Sequence, residues 1–147
     1  MSKAEDADIL LIADSRALLG ALDASIQSGE KMRLSGILWS QTPSLLRPEL
    51  LRSSSLVVVE LFRQYQHGKR AEGVVLAERW AGVTPFLIVA PRFWANEIDC
   101  PGYWDAASED SIGERVRWLL ANPEAAAENF DQLKERMRQY LAVPRQH

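Results

Sequence analysis

The sequence predicts an α/β fold: one parallel β-sheet with helices packed on both faces. Two observations carry this. Short apolar segments alternate with amphipathic ones along most of the 147 residues, as expected of successive strand–helix–strand units. The most apolar segment, Leu56-Val57-Val58-Val59 running into Glu60, Leu61 and Phe62, shows no polar alternation. A β-branched run of that kind suits a strand buried on both faces, the state of a central strand in a parallel sheet.

Taken in order, Asp8 to Asp14 is the first strand, an apolar run bounded by acids. Ser15 can cap the helix that follows, where Ala17, Leu18, Ala21, Leu22 and Ile26 recur at helical spacing before Gly29. Met32 to Trp39 is a second strand interrupted by Ser35 and Gly36. Gln41 to Ser44 reads as loop, and Leu45 to Leu51 as one short helix containing Pro48. The third strand is the Leu56 run. Arg63 to Lys69 reads as a polar loop, Ala71 to Ala81 as an amphipathic helix closed by Gly82, and Thr84 to Ala90 as a fourth strand. Pro91 to Gly102 has no helical period, Tyr103 to Ala106 is a short fifth strand, and Ser108 to Ser111 caps a helix carrying Ile112, Val116, Leu119 and Leu120. Asn122-Pro123 then starts a last helix with an apolar stripe of Ala127, Phe130, Leu133, Met137 and Leu141. Right-handed crossovers leave few topologies for five such strands and favour the flavodoxin-like order 2-1-3-4-5 in a three-layer α/β/α arrangement.

Composition narrows the function. The formal charge of −3 and pI near 5.4 give no reason to expect nucleic-acid affinity. Cys100 is the only cysteine and there are two histidines, His67 and His147, so neither a disulfide nor a cysteine-based metal site can form within the chain. The first residues lack the apolar segment of a signal peptide, and no run approaches the roughly 18 apolar residues of a membrane-spanning helix. A cytoplasmic protein that does not enter the membrane is expected. No glycine-rich dinucleotide or Walker-type phosphate loop is present.

Chemistry in open parallel sheets sits outside the carboxyl ends of the strands. Asp14 and Glu60 end the first and third strands, which the predicted order makes neighbours, so both acids should point into one crevice. Two carboxylates could hold Mg²⁺, but they make a thin site, and each could equally face water or cap a helix. Arg63, His67, Lys69 and Arg70 cluster after the third strand, as a solvated loop or as partners for Glu60, Glu72 or an anionic molecule. Phe93, Trp94, Tyr103 and Trp104 gather in and beside the irregular segment. Such aromatics serve either as core or, when exposed, as interface anchors.

These stretches resemble the CheY-like receiver domains of response regulators over residues 8–121. Ile9 to Asp14 is similar to the family's first strand, which ends in two Mg²⁺-holding acids; Ala13 stands at the first and Asp14 at the second. Val57 to Leu61 is similar to the strand that ends in the phospho-accepting aspartate, and Glu60 takes that position. Gly68 falls on the glycine of the family's Asp-Gly pair, with His67 in place of the aspartate. Phe86 to Ala90 resembles the fourth strand, with Ala90 where a Ser or Thr hydroxyl would bond the phosphoryl group, and Ala106-Ala107 replaces the Lys-Pro after the fifth.

The resemblance therefore implies a degenerate receiver, or pseudo-receiver, with no catalytic residue, no metal and no cofactor. Phosphoryl transfer needs an aspartyl acceptor with a metal and a cation to offset developing charge. The extra methylene of a glutamate moves its oxygens by about 1.5 Å, enough to misplace an in-line attack. Glu60 is then a fixed negative charge or a relic. Receivers usually meet partners through the face built by helix four, strand five and helix five. Here the fourth helix is expected to be shortened or missing and the face enriched in aromatics, which implies a signalling-protein partner or a homodimer. Residues 1–7 and 143–147 are expected to be tails and 122–142 an additional helix.

Two alternatives stand beside this reading. One is a working receiver with an unconventional acidic site. The other is a nucleotide- or small-molecule-binding fragment, because Ser108 to Leu141 resembles the tail of GT-B glycosyltransferases, although the opposing half of the cleft is lacking.

Overall fold

The structure, a computed structural model, describes residues 7–14, 16–26, 32–66, 68–90 and 98–141. Its centre is a parallel five-stranded sheet made of β1 (Ala7–Ala13), β2 (Met32–Leu38), β3 (Leu56–Glu60), β6 (Phe86–Ala90) and β7 (Tyr103–Asp105), in the order β2-β1-β3-β6-β7. This is the expected 2-1-3-4-5 topology, with β6 and β7 as the fourth and fifth strands of the sheet. Between β3 and β6 lies a separate antiparallel hairpin, β4 (Arg63–Tyr65) and β5 (Gly68–Arg70).

The apolar runs feed both faces of the sheet because successive strand side chains point to opposite sides. Val57 and Val59 join one core cluster with Leu10, Ile12, Phe86 and Ile88, while Leu56 and Val58 join the other with Ile9, Leu11, Leu87 and Val89. Leu56 to Val59 are each 0% exposed, and burying such a side chain stabilises by about 1.5–3 kcal/mol. Chain direction assigns the helices. The step from β1 to β2 and the steps from β2 to β3 and β3 to β6 run opposite ways across the sheet, so crossovers of one hand fall on opposite faces. Accordingly α1 (Arg16–Ile26) covers one face through Leu18 and Leu22. Helices α3 (Pro48–Ser53) and α4 (Glu72–Trp80) cover the other through Leu51, Val74 and Ala77. After β7 the chain returns to the α1 side as α5 (Ile112–Ala121). Its start is fixed by a capping box: Ser111 Oγ accepts the Glu114 N–H at 3.0 Å, and Glu114 Oε1 accepts the Ser111 N–H at 2.8 Å.

Three local expectations are corrected. Residues 63–65 and 68–70 pair as the β4–β5 hairpin rather than forming a loop, and Gly68 takes φ 136°, a conformation that favours glycine. Residues 39–53 form a 3-10 turn at Trp39–Gln41, then α2 (Thr42–Leu45) and α3, not a loop and one helix. The break falls at Arg47 (φ −119°, ψ 154°) because the residue before a proline is pushed out of the helical region. Strand β7 stops at Asp105, which leaves Ala106 in a turn.

The last helix is likewise divided. A 3-10 turn at Pro123–Ala127 leads through Asn129, at φ 57°, into α6 (Phe130–Arg136) and a second 3-10 turn at Arg138–Tyr140. Ala125 and Ala126 are buried there, whereas Ala127 is exposed.

The C-terminal segment crosses beneath β6 and β7. Gly102 permits this crossing, because a Cβ there would collide with the Ala126 carbonyl oxygen. Helix α6 then climbs the α4 face, placing Leu133 and Met137 in the same core cluster as Cys100 and Tyr103. Among the described residues beyond 121, Ala125, Ala126, Leu133 and Met137 thus belong to the core.

Candidate functional site

The crevice at the carboxyl edge opens between β1 and β3, where the strand order reverses. Ile12 is opposite Val59 in the register, so Asp14, just past Ala13, comes level with the end of β3. Glu60 Oε1 accepts the Asp14 N–H at 2.8 Å, and Asp14 Oδ2 accepts the Gln64 N–H at 2.9 Å. The two predicted acids are brought together, each with an oxygen committed to a backbone donor. Together they staple β1, β3 and the hairpin. Helix α4 closes the crevice from one side: Gly73 N donates to the Leu61 carbonyl at 3.2 Å, and a Cβ on Gly73 would lie 2.5 Å from the Glu60 carbonyl oxygen.

Burial pushes the half-buried Glu60 carboxyl above its ordinary value, and the nearby Asp14 charge adds to this, while the Asp14 N–H bond opposes it. Neither acid has an ion-pair partner among the described residues. The hairpin cations go elsewhere. Arg70 Nη1 lies 3.1 Å and Arg63 Nη1 4.0 Å from Glu72, whose Oε2 also accepts the Tyr65 hydroxyl at 2.5 Å. Burial and this bond to Glu72 raise the Tyr65 phenol above its usual range. Lys69 Nζ sits 4.4 Å from the centre of the Phe62 ring and 5.7 Å from that of Tyr140, a cation–π arrangement. Of the expected cluster, Arg63 and Arg70 therefore meet Glu72 and not Glu60, and His67 lies outside the described residues.

Among the described residues no three carboxylate, imidazole or thiol groups converge as a metal site. Ala13 and Ala90 are buried and Ala106 exposed, and none offers more than a methyl group. A polar feature that the sequence did not reveal is Asp105, 3% exposed. Its Oδ2 accepts the Tyr103 hydroxyl at 2.8 Å and its Oδ1 the Ala107 N–H at 2.8 Å. The i, i+2 spacing of Tyr103 and Asp105 within one strand was the available signal for this pair.

No protein-family model and no curated protein sequence matches this chain. Solved structures do. The chain is similar to the response regulator RcsB of Salmonella typhimurium, with a TM-score of 0.56 and 11% identity over 92% of this chain and 69% of that one. It is similar to the response regulator ChrA of a heme-sensing two-component system, with a TM-score of 0.54 and 18% identity over 98% and 70% of the two chains. It is also similar to the signal receiver domain of NarL from Mycobacterium tuberculosis, with a TM-score of 0.50 and 10% identity over 85% and 99%. The fold is that of a response-regulator receiver.

Part of the expected partner face lies outside the described residues. The described part of the β6–β7 connection, residues 98–102, contains no helix, and residues 91–97, including Phe93 and Trp94, lie outside the described residues. Tyr103, expected at an interaction surface, is instead a core residue, 5% exposed, because it lies on the face that α6 covers. Trp104 is half-buried toward the α5 side, its indole N–H donating to the Asp110 carbonyl at 2.9 Å. The exposed aromatic nearby is Trp118 on α5, at 47%. Among the described residues no helix is long and apolar enough to cross a membrane.

Proposed function

We propose that this chain is an atypical receiver-like signalling domain without phosphorylation chemistry, acting through contact with a signalling protein or a second copy of itself. One observation carries the reading: at the acceptor position the carboxylate of Glu60 already accepts the Asp14 N–H, and Asp14 in turn accepts the N–H of Gln64. That bond commits Oε1 and leaves Oε2, so the reading rests on the fixed geometry together with the missing metal and cation that an acceptor needs beside it. Ala13, Ala90 and Ala106 occupy the positions that would supply the second acid, the hydroxyl and the ammonium. The carboxylate pair then serves as a fixed structural element that holds the hairpin after β3 in one arrangement, and the β7–α5 side with Trp118 is the contact face.

The test is exposure of the full chain to Mg²⁺ and acetyl phosphate, followed by intact-mass measurement. The expected product is the unmodified chain. A phosphoryl adduct lost on Glu60→Gln or Asp14→Asn would overturn the reading in favour of a working receiver with an unconventional acid.

A further inference from the structure

The α4 face carries a second concavity, separate from the acid pair. It is a groove of 440 Å³ between α3, α4 and the hairpin, within the size range of small-molecule sites. In a chain of net charge −3, its lining brings together four arginines, Arg47, Arg63, Arg70 and Arg79, against one carboxylate, Glu72. The inner two, Arg63 and Arg70, are held by Glu72. The outer two are exposed, and among the described residues their side chains have no hydrogen-bond or ion-pair partner.

The wall also contains Trp39, 3% exposed, whose indole Nε1 is the one buried side-chain nitrogen or oxygen without a hydrogen-bond partner among the described residues. A buried donor left without an acceptor costs about 1–3 kcal/mol, and such a group in a folded protein calls for an explanation.

We propose that this groove binds a small organic anion: a carboxylate or phosphate monoester on a flat apolar body. Guanidinium forks match both head groups, and Arg47 and Arg79 stand free at the rim to receive one. The apolar body would lie against the tryptophan-lined wall. Glu72 keeps Arg63 and Arg70 ordered beneath, so the unspent positive charge is concentrated at the mouth. Glu72 also adjoins Gly73, which packs on the Glu60 carbonyl, so a ligand here contacts the same helix start that borders the acid pair. Binding does not depend on whether the domain has a protein partner.

The test is a titration of the ¹⁵N-labelled full chain with indole-3-acetate and with phenyl phosphate, using indole-3-acetamide and phenol as neutral counterparts. The expected result is saturable movement of the Trp39 indole signal with at least one anion and none with its neutral counterpart. The relative response to the two anions separates carboxylate from phosphate recognition. The double variant Arg47→Gln/Arg79→Gln, altered only at exposed positions, should keep its spectrum and bind about tenfold more weakly or worse, as loss of charge-assisted bonds implies. No saturation with either anion, equal response to the neutral compounds, or unchanged affinity in the double variant would overturn the proposal.

Discussion

The two faces of the sheet are covered by different means. On the α1–α5 side each helix follows directly from a strand, and Leu18, Leu22, Val116 and Leu119 fill the core in the order the chain delivers them. On the α4 side the connection between β6 and β7 brings no helix in its described residues, and the space is filled by α6, which enters from the C-terminal end. A crossover helix runs antiparallel to the strands it joins. Helix α6 and the 3-10 turn after it run parallel to them, from Phe130 near the start of β6 up to Tyr140, whose carbonyl accepts the Ala71 N–H at 2.8 Å beside the hairpin. One face is thus closed mainly by helices that follow their strands, and the other by α3 and α4 together with a segment brought in from far along the sequence. The second arrangement ties the C-terminal segment to the crevice, because Tyr140 packs edge-on against Phe62 at 5.0 Å, just beyond β3.

The largest test of that difference is Leu133→Ala, set against Leu119→Ala on the opposite face. Both side chains are 0% exposed, and each truncation should cost about 2–5 kcal/mol, read as a shift in the urea midpoint. A loss at Leu133 far below that at Leu119 would mean that α6 lies on the domain without forming part of its core.

The locally closed face was the one most legible in the sequence. Strand order, the two acids meeting at the β1–β3 crevice and the Ser111 cap all followed from short-range patterns. The other face was harder to read because its determinants are not local. Nothing in the period of Phe130, Leu133 and Met137 says which surface the stripe will meet, and the same stripe would suit a second chain. Tyr103 was assigned to a surface for the same reason, since its burial depends on a helix arriving from residues 130–136. The hairpin after β3 was missed because three-residue strands carry too little alternation to be told from a polar loop. Asp105 escaped notice because a single acid at a strand end looks like any turn residue until its tyrosine partner is placed.

Two helical glycines sharpen the comparison at smaller magnitude. Gly20 in α1 has open space where a Cβ would go, and Gly20→Ala should stabilise by about 0.5–1 kcal/mol through helix propensity. Gly73 in α4 faces the Glu60 backbone, and Gly73→Ala should destabilise by about 1–3 kcal/mol because the helix must lift from the strand end. Opposite signs in thermal melts are the expected outcome. A stabilising Gly73→Ala would show that α4 can move freely away from the acid pair.

The smallest effect is electrostatic and sits at the crevice between the two faces. The folded-state pKa of Glu60 is raised, first by burial and then by the charge of Asp14. A carboxyl shifted upward binds its proton more tightly in the folded chain than in the unfolded one. Its contribution to stability is therefore fully present below the unfolded value of 4.5 and is lost as pH rises through the folded value. At neutral pH the ionised Glu60 weighs against the fold. Glu60→Gln removes that charge while its side-chain oxygen can still accept the Asp14 N–H. The variant should match the parent in acid and exceed it modestly at pH 7, so the difference between their stability curves opens as pH climbs from about 4.5. A variant that is less stable than the parent at pH 7 would mean that the ionised carboxylate is what holds Asp14 in place, making the negative charge itself the structural element of the crevice.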